Sequence, residues 1–96
     1  MENKVIKEID NLLSLIEQYQ LKGVHPQVNT LKELQYSLNH HIKLSTREKI
    51  NIHNALFIPR GGLSELYYMD VNVDQMRFVN EQLSHAFDTI GKFLID

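Results

Sequence analysis

Three residues near the end of the chain carry side chains of the kinds that bind divalent metal ions: Glu81, His85 and Asp88. Their spacing of four and then three residues places all three on one face of a helix. The favoured interpretation of this face is a solvated one, on which the imidazole pairs with carboxylates. A small metal-dependent protein that uses these residues stays open as one alternative and a homodimeric structural protein as another, and we expect no cofactor.

Two short motifs resemble catalytic or nucleotide-binding signatures but lack residues that such chemistry needs. Leu66 stands where a nucleophile elbow built on Ser64 would need its second glycine. Arg60, Gly61 and Gly62 are followed by no P-loop Lys-Ser/Thr pair, and a single Arg-Gly-Gly copy is not the repeated tract of RNA-binding proteins. These gaps predict a non-catalytic protein in which Arg60 to Gly62 form a tight turn or a partner-binding loop.

Residues 60–74 contain the side-chain types that are enriched at protein interfaces, namely Tyr, Met and Arg, together with three carboxylates. Two interpretations stay open: this loop is an exposed docking surface, or its apolar side chains cover the open end of a helical bundle. The first predicts a module that binds another protein, or a second copy of itself as a homodimer. The candidate partner-binding residues are Arg60, Gly61, Gly62, Glu65, Tyr67, Tyr68, Asp70 and Asp74.

Charge is distributed unevenly although the formal net charge is only −2. Residues 25–58 carry four basic and two acidic side chains, whereas residues 59–74 carry one basic and three acidic ones. This asymmetry predicts that the chain orients itself toward a charged partner. Without a basic surplus, we expect no nucleic-acid partner.

Length and composition limit the remaining classes. A chain of 96 residues corresponds to one domain, spanning 1–96, and its lack of cysteine excludes disulfides and thiolate metal sites. A membrane-spanning helix needs ~20 apolar residues and a signal peptide needs a long apolar core, and no run of that kind occurs. We therefore expect a cytoplasmic protein with no membrane partner.

Four amphipathic segments must position residues 60–74. The first extends from about residue 2 to about residue 21, where Lys22 and Gly23 end it. The second begins at His25, because Pro26 suits a first helical turn, although Thr30 offers a capping-box alternative.

The third segment begins at a capping box of Ser45 and Glu48 and ends at about Ile58. The fourth has a predicted cap at Asn72 with Gln75, and a predicted hydrophobic staple between Val71 and Met76.

Strict alternation of apolar and polar residues over 66–73 is typical of extended backbone. We predict a mainly α fold: an antiparallel four-helix bundle-like domain with a short extended segment at 66–73. Because residues 50–58 also fit a period of two, an α+β fold with a hairpin of 50–58 and 66–73 is the alternative.

Size, acidity and helical content make the chain similar to small bacterial immunity proteins, which bind and neutralise a toxin. The resemblance is one of architecture and carries over no site residue. It implies an immunity-type or regulatory protein that acts by binding a partner.

Overall fold

Four α-helices and one 3₁₀ turn make up the fold of the computed structural model, which describes residues 2–58 and 62–95. The elements are α1 (Glu2–Gln18), α2 (His25–Asn39), α3 (Thr46–Leu56), the 3₁₀ turn (Leu63–Glu65) and α4 (Val73–Ile95). Neither described range contains a strand. The mainly α prediction is therefore confirmed, and the alternative hairpin of 50–58 with 66–73 is wrong.

Each helix contacts its neighbours in a ring: α1 contacts α2 and α4, and α3 contacts the same two. Side-chain contacts between α1 and α4 show that these helices are antiparallel, since later residues of α1 meet earlier residues of α4. The contacts are Glu8 with His85 and Asn11 with Gln82, and just past the end of α1 Tyr19 meets Gln75. A single apolar core, to which all four helices and Leu63 of the 3₁₀ turn contribute, fills the centre.

α3 is much shorter than α4, the helix it packs against. At a rise of 1.5 Å per residue, α3 is about 16 Å long and α4 about 34 Å. α3 lies along the C-terminal half of α4, where Lys49 lies over the ring of Phe93, and Phe57, just past the end of α3, packs edge-on against Phe87. The N-terminal half of α4 is instead covered by the 3₁₀ turn and the irregular residues 66–72.

Two predicted caps are confirmed. The Ser45 hydroxyl accepts from the backbone N–H of Glu48 at 3.1 Å, and the Glu48 carboxylate accepts from the N–H of Ser45 at 3.2 Å. This capping box explains why α3 is helical despite its ambiguous period. At α4, the Asn72 side chain accepts from the N–H of Gln75 at 3.0 Å.

α1 ends at Gln18, three residues before the predicted boundary. The N–H of Gln20 donates to Glu17 at 3.3 Å, and the N–H of Leu21 donates to Ile16 at 3.0 Å. This pattern is a Schellman motif with Gln20 in the left-handed region, at φ 52°. The motif forms without glycine, so Gly23 belongs to the following loop rather than to the helix end.

The second helix begins at His25, with Pro26 in its first turn, as predicted. Thr30 is not its cap, because the Thr30 hydroxyl donates to the Pro26 carbonyl one turn earlier, at 3.1 Å. The predicted staple at α4 is also wrong: Val71 is fully exposed and so cannot pack against Met76. In the described part of the chain, no helix combines the length and the apolar character needed to span a membrane.

Candidate functional site

Four apolar side chains at alternate positions project from residues 67–73 into solvent. The exposed fractions are 56% for Tyr67, 73% for Met69, 100% for Val71 and 56% for Val73. We call these four residues the exposed strip. Single exposed apolar side chains are common on proteins, but large contiguous apolar patches mark interaction surfaces.

Tyr68 faces the opposite way, toward the bundle. Its ring packs against the ring of Tyr19 with centroids 4.7 Å apart, and its hydroxyl donates to Asp70 Oδ2 at 2.6 Å. The Tyr19 hydroxyl accepts in turn from the side-chain amide of Gln75 at 2.7 Å. Tyr68 therefore attaches the strip to the residue that follows α1, which is in turn bonded to α4.

The side-chain amide of Asn80 holds the backbone of Tyr68. The N–H of Tyr68 donates to Asn80 Oδ1 at 2.9 Å, and Asn80 Nδ2 donates to the Tyr68 carbonyl at 3.0 Å. One side chain thus satisfies both backbone groups of this residue, as a neighbouring strand would. The arrangement fixes the register, so that Tyr68 points inward while Tyr67 and Met69 point outward.

Both carboxylate oxygens of Asp70 accept hydrogen bonds from neighbouring residues of the same segment. Its Oδ2 accepts from the Tyr68 hydroxyl, and its Oδ1 accepts from the N–H of Asn72 at 3.1 Å. The hydrogen bond from Tyr68, followed by the backbone bond from Asn72, lowers the pKa of Asp70. The same hydrogen bond to Asp70, followed by desolvation and by the carboxylate charge, raises the pKa of Tyr68.

A groove lies between the exposed strip and the N-terminal half of α4, on the side where α3 is too short to reach. It consists of two depressions of about 410 Å³ and about 490 Å³ that share Tyr67, Asn80 and Ser84. The first also includes the apolar side chains of Val73 and Met76. Tyr67 thus lines both depressions.

This region is acidic. Residues 62–84 carry four carboxylates against the single guanidinium of Arg77, which leaves a charge of −3. Two of the predicted contact residues, Glu65 and Asp74, contribute exposed carboxylates. Such a field favours the approach of a positively charged partner.

Gly62, one of the predicted partner-binding residues, lies at a close approach of the backbone. It is buried, and a Cβ atom at this position would lie 2.5 Å from the carbonyl oxygen of Ile58. Gly62 therefore permits a close approach of two backbone segments. Arg60 and Gly61 lie outside the described residues.

The candidate metal ligands do not converge. His85 Nε2 lies 3.0 Å from Glu8 Oε2 on α1, and Asp88 pairs with Lys92 one turn further along α4 at 3.2 Å. Within residues 2–58 and 62–95, no three His, Cys, Asp or Glu side chains form a group that could hold a metal ion. His85 and Asp88 are thus each paired with a neighbouring side chain, on α1 and on α4 respectively.

Asn80 is the main residue that sequence reasoning missed. An asparagine within an amphipathic helix carries no motif, and its partner is the backbone of a residue twelve positions earlier. Comparisons with protein-family models, with curated proteins and with solved structures find no match to this chain.

Proposed function

We propose that this protein is a non-catalytic interaction module that binds another protein through the exposed strip and the adjoining groove. The observation that carries the proposal is the direction of the strip. Residues 67–71 place Tyr67, Met69 and Val71 in solvent, while Tyr68 and the acidic Asp70 face inward. A shift of one residue would exchange the two faces, and the bonds to Asn80 hold the arrangement that leaves apolar area exposed.

Preorganisation supports the same function. The strip is held by the Asn80 bonds, by the ring contact with Tyr19 and by the hydrogen bonds of Asp70. A surface that is ordered before binding loses little conformational entropy when a partner docks. The polar side chains next to the strip are therefore engaged in holding it in place.

The surrounding side chains fit an interface as well. Tyr67, Met69 and Met76 supply large apolar contacts, and Arg77 and Glu81 border the groove with opposite charges. An apolar centre with a charged rim is the usual composition of a transient protein interface. The immunity-protein resemblance and the cytoplasmic location stay predictions, as does the homodimer.

The test is co-purification from cells that naturally make the protein, with a double variant Tyr67→Ser and Met69→Ser. Its matched control is Tyr36→Ser with Ile42→Ser, which removes side chains that are 60% and 48% exposed elsewhere on the surface. Both variants should keep the helical circular dichroism of the native chain. Partners retained by the control and lost by the strip variant support the proposal; partners retained by both variants contradict it.

A further inference from the structure

We infer that the exposed strip recruits an extended, positively charged segment of the partner, which lies beside residues 67–71 as an added strand. The inference rests on the proposed function and specifies the chemistry of the partner. Three observations carry it: the backbone groups of Tyr67 and Met69, which have no partner within the described ranges, the alternation of the exposed side chains, and the charge of the region.

The first observation concerns the backbone. In an extended chain, the N–H and C=O groups of successive residues point to opposite sides. Those of Tyr68 point toward α4, where Asn80 satisfies them. Those of Tyr67 and Met69 make no hydrogen bond with any residue in the described ranges. They therefore form a short free edge of the kind that accepts a partner strand.

The second observation is the alternation of exposed side chains. Tyr67, Met69 and Val71 stand at positions i, i+2 and i+4, so that an added strand with apolar residues at alternate positions can match them. A helical ligand on the same surface would remove water from the backbone groups of Tyr67 and Met69 without replacing their hydrogen bonds. The free edge thus favours an extended ligand over a helical one.

The third observation is charge, which favours a foreign partner over a second copy of this chain. Residues 62–84 carry −3, and pairing of this edge with its own copy would bring two such regions together. Bringing two regions of like charge together disfavours association. A segment with an excess of Lys or Arg is instead attracted by the net negative charge of residues 62–84.

The test is selection of ten-residue peptides from a random phage-displayed library on the full chain, followed by ¹⁵N NMR of the protein with the synthetic peptides. Enriched peptides should carry net positive charge and apolar residues at alternate positions. They should shift the amide resonances of residues 67–71. Methylation of those backbone nitrogens of the peptide that face the strip should weaken binding at least tenfold. Replacement of the peptide's Lys residues by Glu should have an effect of the same size.

Other outcomes separate this inference from the proposed function. Peptides that bind the strip with helical spacing, with acidic composition or without sensitivity to N-methylation overturn the inference and leave the proposed function standing. Self-association that is lost in the double variant Tyr67→Ser and Met69→Ser would make a second copy the occupant and also overturn it. If no selected peptide shifts the amides of residues 67–71, the inference is wrong. If the variant Tyr67→Ser with Met69→Ser also co-purifies with the same partners as the native chain, the proposed function is wrong too.

Discussion

The side-chain amide of Asn80 both accepts from the N–H of Tyr68, at 2.9 Å, and donates to its carbonyl, at 3.0 Å. The chain between these residues reverses direction, leaving residues 66–70, whose side chains alternate between partly buried and exposed, and entering α4. A paired strand would normally satisfy an extended backbone, and here a helix side chain does so instead. The bond therefore sets which side chains of the segment face solvent, and with them the surface available to a partner.

Replacing Asn80 with Ala should destabilise the fold and loosen the strip. Both partly buried backbone groups of Tyr68 would lose their partner, which costs about 1–3 kcal/mol in the free energy of unfolding. Urea denaturation measures this loss, and the Tyr68 amide should exchange with solvent faster. Asn54→Ala, on an exposed face of α3, is the matched control because it makes the same change in helix propensity. Equal stabilities of the two variants would show that the Asn80 bonds contribute nothing.

Local patterns predicted most of the fold. The amphipathic period gave the four helices, and the capping residues Ser45 and Asn72 marked two helix starts that the structure confirms. The cap at Ser45 also favoured the helix where residues 50–58 fitted two periods. Such signals depend on neighbours within one helical turn, which is why a single sequence contains them.

Features that depend on tertiary contacts were missed or misjudged. The staple between Val71 and Met76 has the right spacing, but the bond from the N–H of Asn72 to Asp70 turns the chain so that Val71 projects into solvent. Alternation over 66–73 predicted extended backbone without showing which face is exposed. That choice is made by Asn80 and Tyr19, which come from elements distant in the sequence.

The hydrogen bond between Tyr68 and Asp70 should make stability depend on pH at both extremes. It lowers the pKa of Asp70 below 3.8, so its contribution is complete above that value and is lost as pH falls through the folded-state pKa. It raises the pKa of Tyr68 above 10.0, so the contribution is also lost as pH rises through that second folded-state pKa.

The variant Tyr68→Phe tests this dependence. Its deficit in unfolding free energy relative to the native chain should be constant between about pH 5 and 9 and should shrink outside that range. Chemical denaturation at a series of pH values gives the profile. Tyr67→Phe, which removes a hydroxyl from an exposed side chain, is the control and should show no such profile. A deficit for Tyr68→Phe that stays constant down to pH ~2 would contradict the assigned bond.

Glycine substitutions should have opposite effects at two positions. Gly62→Ala places a Cβ atom 2.5 Å and 2.8 Å from backbone atoms of Ile58, so we expect a loss of about 1–3 kcal/mol. Gly91→Ala in α4 meets only the ring of Phe57 at 3.9 Å and should stabilise the helix by about 0.5–1 kcal/mol. Thermal unfolding of the two variants should therefore shift in opposite directions. A neutral Gly62→Ala would mean that the two backbone segments are not in close contact.

The ends of α1 and α2 offer stabilising substitutions. Gln20 and His41 both adopt left-handed backbone, at φ 52° and 55°. Glycine adopts this conformation without the steric cost that a side chain brings, so Gln20→Gly and His41→Gly should each stabilise by about 0.5–1 kcal/mol. Gly23→Ala, at φ 84°, is the reverse control and should destabilise although nothing crowds its Cβ position. If Gln20→Gly lowers the thermal midpoint, the Schellman motif does not end α1 in solution.

Serine substitutions in the exposed strip should separate binding from stability. Val71 is fully exposed and Met69 is 73% exposed, so Val71→Ser and Met69→Ser should change the unfolding free energy by no more than about 0.5 kcal/mol. Leu63→Ala, at a fully buried position of the 3₁₀ turn, should instead cost about 2–5 kcal/mol. Affinity for a peptide selected on the native chain should fall with the serine variants, because each removes apolar area from the docking surface. Serine variants as destabilising as Leu63→Ala would show that the strip belongs to the core, and undiminished affinity would show that the peptide docks elsewhere.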